Sequence, residues 1–340
     1  MRLFSFRTTK LLLDTPGKHS VKREISVGHV DELLDFIDFV KLKRGTEGKV
    51  CHTRVALDNG GDFFKIGFNS LDTTLDRAQK PFFGKDFKDT SVKKLCLSAT
   101  CQDIKENDHN VRKIYDVSKV STLEGTPHSM TGDQKMLLLM CGKSNHAAKC
   151  PCGYCNVQTP FNLEEDGDLY TLGELREQNR EFEFAGRPIL RQSEFDNVVN
   201  WPILHGHDDL CVLDRFPISV LHLKLRTVNH ICDDLTLKTK RRFGVDIVLV
   251  FTKENAIVRQ DYHGGSYQGN QCSSIMKKAD LLEAKLPEDL KLYTRCLKAY
   301  GVLYEKCHGM EVEPGYQRYL EDFKVRFNYF KPIRGYYCYN

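Results

Sequence analysis

Val50-Cys-His-Thr-Arg-Val-Ala-Leu-Asp58-Asn-Gly-Gly61-Asp-Phe-Phe-Lys-Ile-Gly-Phe68 reads as two strands and a tight turn. Val50 to Leu57 is the outgoing strand, closing on Val55-Ala-Leu-Asp58. Phe63 to Phe68 is the return strand. Asn59, Gly60 and Gly61 tolerate the positive φ angles that short hairpins demand. Asp58 therefore sits at the mouth of a strand. An aspartate before Asn-Gly-Gly is also a good turn former in its own right.

Outward from the hairpin, the pattern alternates between strands and helices. Val92 to Thr100 reads as a third strand around Leu95-Cys-Leu97, after a polar loop over 70–91. Asn110 to Val117 reads as a short helix, and Thr122 to Ser129 as irregular chain around Pro127. Asp133, in Thr131-Gly-Asp-Gln-Lys135, opens the apolar helix Lys135–Met140. As a local feature it is a helix N-cap or first-turn carboxylate. Upstream, Val30, Leu33, Leu34, Ile37 and Val40 share one helical face and Gly45 ends the run. Residues 1–24 are basic without a clear period and read as a linker or as the remainder of an upstream domain. Downstream, polar Leu172–Glu181 and the run Leu221, Leu225, Val228, Cys232, Leu235 read as helices. Val245 to Phe251 reads as a buried strand or a short core helix. Two late helices are marked by Leu290 to Tyr304 and Tyr316 to Phe330. The expected organisation is a basic N-terminal segment with a helix (1–48), an α/β core with a cysteine cluster (49–160), and a mostly helical region (161–340).

The cysteine cluster is Cys141-Gly-Lys-Ser-Asn-His146-Ala-Ala-Lys-Cys150-Pro-Cys152-Gly-Tyr-Cys155. Cys152 and Cys155 form a C-x-x-C pair, the spacing at which two thiolates reach one tetrahedral zinc. Cys150, His146 and Cys141 are local candidates for the remaining ligands. The alternative is a set of reduced thiols in a packed turn. The histidines of His205-Gly-His207 read as solvent-facing or hydrogen-bonded. Asp261 to Cys272 is a Gly-rich loop opening a helix, with neither Walker nor Rossmann spacing.

Composition bounds the answer. The 340 residues are 41% hydrophobic and 28% charged, as in an ordinary globular protein. No apolar run is long enough to cross a bilayer, and the start lacks a secretory h-region. The expectation is an intracellular protein, nuclear or cytoplasmic, without membrane contact. Its 13 cysteines then read as reduced thiols apart from the metal-type cluster. A net charge of +4 does not by itself argue for nucleic acid. Local basic runs (Lys238, Lys240, Arg241, Arg242; Lys41, Lys43, Arg44; Lys18, Lys22, Arg23) would have to share a face to hold phosphate.

Three motifs in order carry a family resemblance: Leu57-Asp58-Asn-Gly-Gly-Asp62, then Gly132-Asp133-Gln-Lys135, then Cys152-Gly-Tyr-Cys155. Together they resemble the catalytic core of the V(D)J recombinase large subunit and its Transib-type DNA transposase relatives. Leu221-His222 with Asn229, and Gly265 to Asn270, are weaker echoes. The resemblance covers roughly residues 50 to 280. It implies an α/β fold: an RNase H-like mixed sheet flanked by helices, with a zinc knuckle and a helical insertion. It implies Asp58 and Asp133 as catalytic carboxylates holding Mg2+ or Mn2+, Zn2+ at the cysteine cluster, and DNA as partner. A homodimer stays open. Two-metal chemistry needs carboxylates that converge from distant parts of a chain. The family's third carboxylate, a late glutamate, and its zinc-completing His pair have no counterpart: Glu305, Glu311 and Glu321 match nothing. The expectation is a truncated, transposase-derived DNA-binding protein, inactive as this chain. The alternative is a non-catalytic, zinc-stabilised module for nucleic acid or protein.

Overall fold

Six strands form one mixed sheet: β1 (Phe6–Asp14), β2 (Lys22–Val30), β3 (Cys51–Gly60), β4 (Phe63–Asp72), β5 (Cys96–Gln102) and β6 (His128–Thr131). Their spatial order is β1-β2-β5-β4-β3-β6. The structure, a computed structural model, describes residues 5–17, 21–49, 51–60, 62–72, 95–145, 147–159, 167–260, 265–307 and 314–327. Most of the expected 70–91 loop, His146, Glu164 to Asp166, residues 261–264, Glu311 and the C-terminal Tyr336 to Asn340 lie outside those residues.

The expected hairpin forms, with Val55 opposite Phe68, Leu57 opposite Ile66 and Asp58 opposite Lys65, but Asn59 and Gly60, expected in the turn, extend β3 and pair with Phe64 and Phe63. Alternation decides which side is buried. Val55 and Leu57 are buried while Arg54 and Asp58 between and beyond them are exposed. On β4, Phe64, Ile66 and Phe68 are buried. β5 continues the antiparallel meander, with a bulge at Ile66/Gly67. A side chain on Gly67 would lie 2.6 Å from Leu95 Cδ2 and 3.0 Å from the Cys96 carbonyl, so the close approach needs glycine there.

The helix α1 (Leu33–Lys43) presents Phe36, Ile37 and Val40 to the core, and Phe36 packs edge-on against Phe68 with ring centroids 5.2 Å apart. Each such side chain contributes about 1.5–3 kcal/mol on burial. The chain crosses from β5 to β6 through α2 (Asp108–Val117) and a 3-10 turn (Val120–Leu123). Asn107 caps α2. Buried Asn110 ties it to β1 by accepting from Asp14 N and donating to Asp14 O, each at 2.8 Å. β6 then pairs parallel to β3, with Thr53 opposite His128 and Ala56 opposite Thr131. The helix α3 (Gln134–Met140) follows at once. Beyond the cysteine segment come α4 (Leu172–Phe184), closed by a Thr171/Glu174 capping box, and α5 (Val212–Arg215).

Two expectations are corrected. Residues 1–24 are not a linker: they contain β1 and the first three residues of β2. Their strand signal is masked because much of β1 and the first half of β2 stays exposed: Leu13 is the buried residue of β1, and burial on β2 begins only at Val27. Irregular 122–129 gives way to β6 at His128, a strand of four residues, too short to establish a period.

The chain divides into two compact units, the first reaching Ile218 and the second beginning at Ser219. The described residues 167–218 thus belong with the sheet rather than with the late helices. The second unit contains α6 (Val220–Phe243), α7 (Ile247–Glu254), α8 (Gly269–Lys277), α9 (Ala279–Glu283), α10 (Lys291–Cys307) and α11 (Gln317–Phe327). Val228, Ile231, Cys232 and Leu235 of α6 form its apolar stripe. The ambiguous run 245–251 is helical from Ile247, and Asp246 caps it by accepting from Leu249 N at 2.9 Å.

Candidate functional site

The parallel pairing of β3 with β6 governs where the two aspartates go. Ala56 lies opposite Thr131. Two residues further along each chain stand Asp58, still on β3, and Asp133, past the end of β6 at the start of α3. Both residues are exposed. Asp133 is the N-cap of α3: its Oδ1 accepts from Met136 N at 2.7 Å. The Asp58 carboxylate curls over Gly60, with Oδ2 2.8 Å from where a Cβ on that glycine would lie. Asp133 thus also does the local capping job that its sequence suggests, while Asp58 sits within the β3–β4 ladder opposite Lys65.

Further acidic groups end on the same edge of the sheet. Phe63 pairs with Gln102, which brings the start of β4 and the end of β5 level with the end of β3. Asp62 and Asp103 follow there, joined by Asp103 N donating to Asp62 O at 3.0 Å. Glu106, only 10% exposed, is ion-paired with Lys135 at 2.6 Å on the first turn of α3. Nothing in the sequence marks that pairing, since the partners are 29 residues apart.

The cysteine segment packs directly on α3. A side chain on Gly153 would strike Leu137 Cγ at 2.6 Å, and Lys143 N donates to Leu138 O at 2.9 Å. All four thiols are buried, but they do not converge as one set. Cys141 Sγ donates to Gly153 O at 3.6 Å and Cys150 Sγ to Ser193 O at 3.9 Å. Burial pushes the Cys141 thiol up to about 12 and the Cys150 thiol up to about 11. Cys152 Sγ accepts from Tyr154 N at 3.3 Å. Among the described residues, no three His, Cys, Asp or Glu side chains gather as a metal-binding group. The turn is organised by Lys143, which is 2% exposed. Its Nζ donates to Cys152 O at 2.7 Å and Tyr170 OH at 3.2 Å, and lies 4.3 Å from the Tyr170 ring centroid. Burial lowers its pKa, opposed chiefly by the neighbouring Cys152 and Cys141.

A second polar cluster was not legible in sequence. His128 and His205 stack with centroids 5.1 Å apart. His128 Nδ1 faces Thr126 O at 2.9 Å, which places the ring proton on Nδ1, since a carbonyl only accepts. His205 Nδ1 pairs with Tyr115 OH at 2.5 Å. Arg215 Nη1 donates to His128 O at 2.7 Å. Burial first, then mainly neighbouring positive charge, depresses both imidazoles to about 4. His207 is exposed. His52, whose Nε2 meets Ser129 Oγ at 2.8 Å, is also depressed by burial and by Arg54 and Arg215.

The basic run on α6 is largely neutralised. Lys238 pairs with Asp234 at 3.4 Å, Lys240 with Asp246 at 3.3 Å, and Arg242 with Asp289. Lys41 pairs with Asp38. Glu305 and Glu321 lie on α10 and α11 of the second unit. None of the helices described is long and apolar enough to cross a membrane.

No protein-family model matches the chain, and no curated protein matches it.

Proposed function

We propose that the chain is a transposase-derived protein built on an RNase H-like core, in which Asp58 and Asp133 share a divalent cation at a DNA-facing sheet edge. One observation carries the reading: two acidic residues far apart in sequence follow the parallel pair Ala56–Thr131 by the same two positions. The order β5-β4-β3-β6 supports it, being an antiparallel three-strand meander whose first strand then takes a parallel fourth through a helical crossover. Mg2+ or Mn2+ suits two carboxylates on an exposed rim, where it keeps several waters. The cation would supply electrophilic stabilisation of a phosphoryl oxygen. The residues' own part is to hold negative charge at that edge, with one oxygen of Asp133 already committed to Met136 N.

Two carboxylates hold a cation without sustaining two-metal cleavage, so the proposed role of this chain is DNA binding rather than strand transfer. The reading keeps a zinc half-site at Cys152 and Cys155, supported by their spacing. Cys141 and Cys150, whose thiols face carbonyls, and His146, which lies outside the described residues, are the local candidates for the other ligands. Mn2+ titration followed by paramagnetic resonance tests the cation site. Binding that is lost in D58N and in D133N supports the proposal; identical binding in all three proteins overturns it. A DNA-binding titration at rising salt tests the partner, with affinity falling as counterions compete.

A further inference from the structure

The residue between Thr131 and Asp133 touches what holds each aspartate. A Cβ on Gly132 would stand 3.1 Å from the Leu57 carbonyl oxygen and 3.0 Å from both Cβ and Cγ of Met136. The Leu57 carbonyl belongs to the peptide bond that leads into Asp58. Met136 carries the N–H that holds Asp133 Oδ1 at 2.7 Å. Neither neighbour yields easily. Leu57 is 2% exposed on a strand paired on both sides, and Met136 is 1% exposed. Interiors at that density answer an added methyl with backbone shifts.

From this we infer that Gly132 is the positioning residue of the Asp58–Asp133 pair: its missing side chain lets the start of α3 seat against β3 closely enough for the two carboxylates to share a cation. The inference rests on the reading of that pair as a cation site. An alanine at 132 presses on the Asp58 peptide from one side and on the Asp133 cap from the other. The carboxylates separate by a few tenths of an ångström or more while the sheet and helix persist. Displacing the supports of a metal's ligands typically weakens affinity by 10–100-fold. Glycine here is required by proximity and not by backbone angle, since its φ lies outside the left-handed region.

The test is Mn2+ affinity of the full chain, read by paramagnetic resonance, for wild type, G132A, D58N, D133N and G173A. Gly173 is the control for lost stability. A Cβ there would crowd Asp208 Cβ and its carbonyl oxygen at 2.9 Å, with neither aspartate involved. Melting temperatures are recorded alongside. The expected result is Mn2+ binding weakened about tenfold or more in G132A and unchanged in G173A, even where both melt lower. Wild-type affinity in G132A, with binding abolished in D58N and D133N, overturns the inference and leaves the cation site standing. Wild-type affinity in D58N and D133N overturns the cation site, and the inference with it. Equal weakening in G132A and G173A assigns the effect to general destabilisation and also overturns the inference. Should G132A not fold in plain buffer, the same titration runs in trimethylamine N-oxide, which favours burial, beside wild type in the same solution.

Discussion

Acidification from about pH 6.5 towards pH 4 should destabilise the first unit through His128 and His205. Both imidazoles are held near 4 in the folded chain against 6.5 when free. The folded state therefore binds fewer protons than the unfolded one inside that window, and stability rises with pH there. Their contribution is complete above about pH 6.5 and is lost as pH falls through the folded value. A gap of this size corresponds to about 3 kcal/mol per histidine at its limit, and about 2 kcal/mol each near pH 5. The pair together therefore removes about 4 kcal/mol at pH 5, a large share of the roughly 5–15 kcal/mol that holds an ordinary domain. For a unit of this size the melting midpoint should fall by about 8–16 °C between pH 7.5 and pH 5. The assay is thermal melting followed by circular dichroism, for wild type and for H128N/H205Q, which cannot titrate. His52 and His230 are depressed as well, so the wild-type-minus-variant difference isolates the stacked pair. A wild-type midpoint that does not move over this range refutes the reasoning. So does a variant that keeps the full wild-type slope.

Three further outcomes are expected. D133A should cost about 1 kcal/mol through loss of the α3 cap while D133N, which keeps an acceptor for Met136 N, costs less; both lose Mn2+, so urea melts and metal titration separate capping from cation binding. N229A should destabilise the second unit by about 2–3 kcal/mol, because Asn229 Nδ2 donates to Tyr267 O at 2.9 Å and its Oδ1 accepts from Tyr267 N at 2.7 Å; faster amide exchange of Tyr267 is the local readout. Zinc content should be one per chain and vanish in C152S/C155S; metal-free purified protein whose melting ignores chelator would remove zinc from the proposal.

The hairpin was legible because alternation, Asn-Gly-Gly and aromatic return residues all state one geometry. The α3 start was legible through Asp133, whose capping bond needs only residues three apart. β6 was not, since four residues carry no period and its burial comes from β3, Arg215 and the stacked histidine. β1 was hidden for a related reason: much of its length faces outward and keeps a basic, polar composition, while its strand conformation is paid for by pairing with β2. The cysteine segment shows the converse. Spacing advertises four like ligands, yet the chain turns two of the thiols toward carbonyls and seats a buried lysine among them.

By itself the sequence determined the local elements: where strands turn, where helices begin, and which faces are apolar, because those depend on near neighbours and on side-chain period. Only the tertiary structure decided that β6 runs beside β3, with Ala56 opposite Thr131. It also decided that Gly132 lies against Leu57, that Glu106 meets Lys135, and that His128 stacks on His205. Those meetings join residues from 29 to 77 positions apart. They follow from strand pairing and packing across the core, which no local pattern encodes.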